Sequence, residues 1–222
     1  IMSYQQTIEK LKSKKSDRKD PSLENTERAL KTLDNPQENY NVILVGGTNG
    51  KGSTTEMISE MLSSQGKKVG TFKSPHLTSI RERIKLDGEK ISEKEVSRQY
   101  RKLENMEISL SFFEFLTVAA YNYFKEKKVD YAVMEVGMGG KLDATNAVDP
   151  KLSVITNIEK EHTEYLGTTR EEIAEEIAGI TPEKGELVTS ADLKQIKETA
   201  EERNTDIIRS HDLAKNGQKY FF

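Results

Sequence analysis

Apolar residues along the chain recur in two patterns, short solid runs and helically spaced stripes. The run Asn41-Val-Ile-Leu-Val45 has the length and content of a buried strand and opens directly into Gly46-Gly-Thr-Asn-Gly-Lys-Gly-Ser53. Residues 53–64 then place Met57, Ile58, Met61 and Leu62 on one helical stripe, with Gly66 as a stop. Residues 68–72 read as a second strand. Asp87-Gly88 between 81–85 and 90–91 is a hairpin signal. Ser92 with Glu95 forms a capping box for a charged helix to about residue 106, and 112–127 is a far more apolar helix. Strands at 131–136, 152–156, 187–189 and 206–209 alternate with helices at 169–180 and 191–203, after two polar helices at 4–15 and 22–33. Strands separated by helices of ten or more residues require parallel pairing with crossovers. The expected architecture is therefore α/β, a mostly parallel sheet with flanking helices, with residues 1–222 as a single domain.

Composition narrows the chemistry. Lys plus Arg total 34 and Asp plus Glu 37, so no global basic field marks the chain for nucleic acid. Cysteine is absent, which excludes thiol nucleophiles, thiolate zinc and Fe–S clusters from this sequence. The three histidines, His76, His162 and His211, leave hard-cation chemistry with oxygen ligands as the default. No run approaches the roughly 20 apolar residues of a membrane span, so a cytoplasmic location without a membrane partner is expected.

The glycine loop carries the strongest functional signal. Its glycines let backbone N–H groups converge on phosphate oxygens, the following helix adds its positive end, and Lys51 adds a point charge. Thr48, Asn49, Gly50, Lys51, Gly52 and Ser53 are the candidate nucleotide contacts. Gly52 between Lys51 and Ser53 departs from the common P-loop register, where a hydroxyl follows the lysine directly. Glu135 ends a buried strand, where open α/β sheets gather their ligands; a carboxylate there also suits capping of the next glycine turn. Phe112, Phe115, Leu116 and Ala119 form an ordinary apolar helix face, leaving Phe113 or Glu114 to reach a ligand. Arg83, with Arg81, suits either an anion clamp or a solvated strand edge.

Taken together, Gly47-Thr-Asn-Gly-Lys-Gly-Ser53, Ser74-Pro-His-Leu77, Arg81-Glu-Arg-Ile84, Phe112-Phe-Glu-Phe-Leu-Thr117, residues 135–146 and Ile155-Thr-Asn-Ile158 give the chain a recognisable signature. It resembles the folylpolyglutamate synthase/dihydrofolate synthase family of the Mur-ligase superfamily. The resemblance implies a P-loop NTPase-like domain of an ATP- and Mg²⁺-dependent ligase. Such an enzyme activates a folate or dihydropteroate carboxylate as an acyl phosphate for attack by the amine of glutamate. It implies Lys51, Glu135 and His162 as catalytic residues, and Ser74, Glu135 and His162 as magnesium ligands. Asn146 would join the nucleotide contacts, and Phe113, Glu114 and Arg83 would face the substrate.

Three departures qualify what the resemblance implies. Where the family carries a carbamylated lysine for a second metal, this sequence has Ile177 beside Glu176. Glu161 and Lys141 replace the usual Asp and Arg, preserving charge but relaxing placement. The family's second, C-terminal α/β domain would begin beyond Phe222. The cleft is therefore expected to be completed by further sequence or a separate subunit. Two other readings stand beside this one: a superfamily ligase for another carboxylate, and a nucleotide-binding module without ligase activity.

Overall fold

The computed structural model describes residues 2–14, 22–160 and 162–215. The predicted strands assemble into one eight-stranded sheet in the order β4-β3-β2-β5-β1-β6-β7-β8. The strands are β1 (Asn41–Gly46), β2 (Val69–Phe72), β3 (Ile84–Leu86), β4 (Glu89–Lys90), β5 (Tyr131–Glu135), β6 (Leu152–Ile155), β7 (Glu186–Thr189) and β8 (Asp206–Arg209). The six strands from β2 to β8 pair in parallel, and the β3–β4 hairpin adds an antiparallel edge. The helices are α1 (Tyr4–Ser13), α2 (Glu24–Thr32), α3 (Lys51–Ser64), α4 (Glu93–Glu104), α5 (Phe112–Lys127), α6 (Thr163–Leu166), α7 (Arg170–Ala178), α8 (Lys194–Glu202) and α9 (Ser210–Lys215). Residue 15, the expected end of the first helix, lies outside the described residues.

Strand periodicity divides the core. In β1, Val42 and Leu44 join the larger core under α5, whereas Ile43 and Val45 face α3 with Val69 and Val133. Helix α5 is buried along Phe115–Phe124, which accounts for its near-continuous apolar sequence. Its cap is complete: Ser111 and Glu114 exchange side-chain bonds with each other's backbone N–H groups. Gly70 brings β2 against this helix, since a Cβ there would lie 2.5 Å from the Phe124 ring.

Two expectations change. The stripe on α3 is narrower than its spacing suggests. Ile58 and Leu62 pack on the sheet, but Met57 and Met61 stand 55% and 57% exposed, because small buried residues, Thr55 and Ser59, form the rest of the contact. Ser59 accepts the Thr71 hydroxyl proton at 2.9 Å. The segment Ile80–Arg83 is a 3-10 turn, not a strand edge, fixed by a capping box between Ser79 and Glu82.

Candidate functional site

Strand β1 is the reversal point of the sheet: the connection onward from β1 runs to one side through β2 and β5, and then crosses to β6 on the other. Loops following β1, β5 and β6 consequently meet at its carboxyl end, where open α/β sheets hold ligands.

The first of these loops is the glycine loop. Gly47 adopts a φ of 123°, and a Cβ there would collide with Thr156 Oγ1 at 2.2 Å. Gly50 is the N-cap of α3 at φ 81°. Thr54 N–H is the first to bond back into the helix, to Gly50 O, so the N–H groups of 51–53 project from its positive end. Lys51 Nζ crosses the loop and donates to the carbonyls of Gly47 and Thr48 at 2.8 and 3.0 Å. The loop is braced by the segment after β6. Thr48 N–H donates to Asn157 O, the Thr48 hydroxyl accepts from Glu159 N–H, and Asn49 N–H donates to Asn157 Oδ1 at 2.8 Å. The side chains of Thr48 and Asn157 thus hold the cradle's shape. Ser53 is exposed on the first turn.

Period-two alternation in β5 puts Tyr131, Val133 and Glu135 on the α3 face, so the Glu135 carboxylate comes to rest against the helix N-terminus. A Cβ on Gly52 would lie 3.3 Å from Glu135 Oε1. The extra glycine in the loop's register is explained by this approach. Ser74 N–H donates to Glu135 Oε2 at 2.8 Å. Burial pushes the Glu135 carboxyl above its ordinary value, opposed by that N–H and by the charges of Lys51, Lys73 and Arg83. The glycine turn after β5 is capped by a different carboxylate: buried Asp143 accepts from the N–H groups of Gly137, Met138 and Thr145 and from the Thr145 hydroxyl.

Arg83 is only 8% exposed and lies over the Phe112 ring at 5.4 Å. Its Nε donates to His76 Nδ1 at 2.8 Å, which requires that nitrogen to be unprotonated. Burial first, then the Arg83 charge, lowers the His76 pKa accordingly. His76 and Phe112 also line a cavity of about 420 Å³ with Tyr4, Ile8, Lys12 and Ile80. A larger cavity, about 540 Å³, opens at the amino end of β1 between Gln37 and Lys151, away from the glycine loop.

The remaining expected site residues are distributed as follows. Phe113 packs on Phe72 at 5.8 Å and against Gly137, next to Glu135's strand. Glu114 is occupied in the α5 cap and accepts from the Thr26 hydroxyl. The Asn146 amide donates to the carbonyls of Lys141 and Gly179, tying the β5 loop to the end of α7. His162 is exposed at the head of α6, three residues beyond the Glu159 that braces Thr48, and Glu161 lies outside the described residues. Ile177 is 2% exposed within the core. Among the described residues, no three His, Cys, Asp or Glu side chains cluster as a metal cage. The hard oxygens of Ser74 and Glu135 suit magnesium, which typically takes one or two carboxylates and completes its shell with phosphates and water. Sequence reasoning missed Lys73 and Glu56, which form an ion pair beside Gly52 at 2.8 Å.

A mostly parallel sheet whose reversal point carries a glycine cradle, a lysine and a strand-end carboxylate is the architecture of an α/β domain of the P-loop type. The sequence model described as the Mur ligase middle domain matches residues 45–221. The chain belongs to that family. It is 45% identical over 148 residues to the dihydrofolate synthase/folylpolyglutamate synthase of Haemophilus influenzae, an alignment covering 66% of this chain and 34% of that protein. Escherichia coli FolC, solved with DHPP and ADP, superposes with a TM-score of 0.89 at 32% identity, over 94% of this chain and 51% of that one. The bifunctional folylpolyglutamate synthase/dihydrofolate synthase of Yersinia pestis, solved with AMPPNP and a Mn ion, gives 0.87 at 34% identity, over 94% and 52%. The chain thus spans about a third of the Haemophilus protein's length and about half of each solved chain's.

Proposed function

We propose that residues 1–222 form the ATP-binding domain of a ligase that joins a folate or dihydropteroate carboxylate to the amine of glutamate. The observation that carries this reading is the convergence of Lys51, the α3 N-terminus and Glu135 at the reversal point of the sheet. The nucleotides, the DHPP and the Mn ion in solved relatives support it.

In this reading the N–H groups of residues 51–53 and the Lys51 ammonium bind the nucleotide phosphates and disperse the charge that builds up during transfer. Ser74 and Glu135 would hold magnesium, which would supply positive charge to neutralise the phosphates. A substrate carboxylate oxygen bonds to the terminal phosphorus as the bond to the bridging oxygen breaks, and ADP leaves with the electron pair. The glutamate nitrogen then bonds to the acyl carbon, phosphate departs, and an amine proton is released. The cavity between α1, His76 and Phe112 is our candidate for the acceptor's aromatic part, with Arg83 holding two of its lining residues, His76 by a hydrogen bond and Phe112 by its ring. Phe113 packs on Phe72 and against Gly137 behind the β5 strand end, and Glu114 acts through the α5 cap. Asn146 positions the β5 loop, and His162, at the head of α6, is the residue we assign to the nucleotide from the segment after β6. A second α/β domain, in further sequence or a separate subunit, would close the cleft and exclude water. A cytoplasmic location accords with this chemistry, and among the described residues no helix is long and apolar enough to cross a membrane.

The test is ADP release by the protein together with such a domain. Release that depends on both a folate or dihydropteroate and glutamate is expected; ADP release indifferent to both substrates would refute the ligase reading.

A further inference from the structure

Beyond Lys51, a second lysine lies beside the glycine loop. In β2 the residues alternate between the two faces of the sheet: Gly70 meets α5, while Val69 and Thr71 face α3. Carrying that alternation one step past the strand places Lys73 on the α3 face as well. Its stem passes the helix N-terminus: Lys73 Cε lies 3.5 Å from the position a Cβ would take on Gly52, the second residue of α3. Its ammonium pairs with Glu56 Oε2 at 2.8 Å, one turn further along the same helix.

Glu56 does not depend on Lys73 for its neutralisation. Lys85, which sits opposite Thr71 in the β2–β3 register, donates to the other oxygen, Glu56 Oε1. Two ammonium groups therefore share one carboxylate, and the trio carries one positive charge in excess. All three side chains are partly buried, between 19% and 30% exposed, where a charge is less screened than in open solvent. If Lys73 rotates toward Gly52, Glu56 keeps a partner and no buried charge is stranded. The rotation carries the ammonium toward the outward N–H groups of residues 51–53, on the side where Glu135 and Ser74 lie.

We propose that Lys73 is a second phosphate-binding lysine, exchanging Glu56 for the terminal phosphate of the bound nucleotide while Lys85 retains Glu56. The proposal rests on the nucleotide-binding reading and adds a residue to it. On the Glu135 side of the cradle, Lys73 adjoins the end of the nucleotide at which transfer occurs, so it should distinguish a triphosphate from a diphosphate.

The test is calorimetric titration of the native chain and of the Lys73→Met, Lys73→Arg and Lys85→Met variants with Mg·AMPPNP and Mg·ADP. Lys73→Met should weaken Mg·AMPPNP by about tenfold or more and leave Mg·ADP within about twofold, as loss of one charge-assisted contact to the third phosphate requires. Lys73→Arg should recover most of the loss. Lys85→Met leaves Lys73 as the remaining lysine on Glu56 and should weaken Mg·AMPPNP by less than Lys73→Met does, with Mg·ADP within about twofold of native. Equal losses for both nucleotides, equal losses in the two methionine variants, or no loss in Lys73→Met would overturn the proposal. A native chain that binds neither nucleotide would overturn the underlying reading and this inference with it. Native binding with an unchanged Lys73→Met variant would overturn the inference alone.

Discussion

Alanine at position 52 sets two effects of known sign against each other. Gly52 is the second residue of α3 and has no positive φ, so alanine fits the backbone and gains up to about 1 kcal/mol in helix propensity. The added methyl, however, would sit 3.3 Å from Glu135 Oε1, 3.5 Å from Glu135 Oε2 and 3.5 Å from Lys73 Cε. The nearest of these is a few tenths of an ångström too tight, and Glu135 has little freedom to retreat, being 4% exposed and held by Ser74 N–H at 2.8 Å. Weakening that bond to a charged acceptor costs about 1 kcal/mol. The two terms nearly cancel, so the unfolding temperature should move by no more than about 2–4 °C. Nucleotide binding has no compensating gain, because the methyl stands at the helix N-terminus and displaces the carboxylate proposed to hold magnesium. Affinity for Mg·AMPPNP should fall by about tenfold or more. Calorimetric titration and a thermal melt of the same sample decide the matter. A melt raised by the full propensity gain with undiminished affinity would mean that Gly52 is merely a poor helix former, and the site geometry would be wrong.

Three further outcomes test the scaffold. Gly70→Ala drives a Cβ into the fully buried Phe124 ring at 2.5–2.7 Å and should cost about 2–3 kcal/mol in urea unfolding. Asp143→Ala strips the acceptor from three backbone N–H groups and should cost about 3 kcal/mol by the same assay, with Asp143→Asn losing less. For Glu126, burial pushes the pKa up, but hydrogen bonds from Arg98, Lys102 and Gln99 prevail and hold it down to about 2. A depressed acid stabilises the fold above its unfolded value near 4.5 and loses that contribution as pH falls toward 2. The stability gap between the native chain and Glu126→Gln, about 1 kcal/mol for a partly exposed network, should therefore close between pH 5 and pH 2 in chemical unfolding, at pH values on the order of those limits.

The parts of the molecule legible in the sequence are those whose patterns are local. The solid run of β1, the glycine loop and the apolar α5 each declare themselves within about a dozen residues, and α5 and β8 occupy their expected spans. The stripe on α3 misled because spacing shows which residues share a face but not how wide the contact is. Thr55 and Ser59, polar in sequence, are buried against β2, whereas Met57 and Met61 are exposed. Glu135 was recognisable as a strand-end carboxylate, yet its contact with Gly52 depends on the spatial adjacency of β1 and β5. Lys73 was missed for the same reason. Its partner Glu56 comes from α3 and is shared with Lys85 of β3, and the local signal is the β2 alternation continued one residue past its end. Asn146 and Glu114 show the converse: motif positions whose polar groups are engaged in holding the backbone.

The most direct test of the phosphate site is a titration of the 222-residue chain with Mg·AMPPNP beside its Lys51→Ala variant. One-to-one binding by the native chain is predicted, weakened by about tenfold or more in Lys51→Ala, which should still unfold cooperatively within about 2–4 °C of native after losing the bonds to Gly47 and Thr48. Equal affinity in the two proteins, or no binding by the native chain, would contradict it.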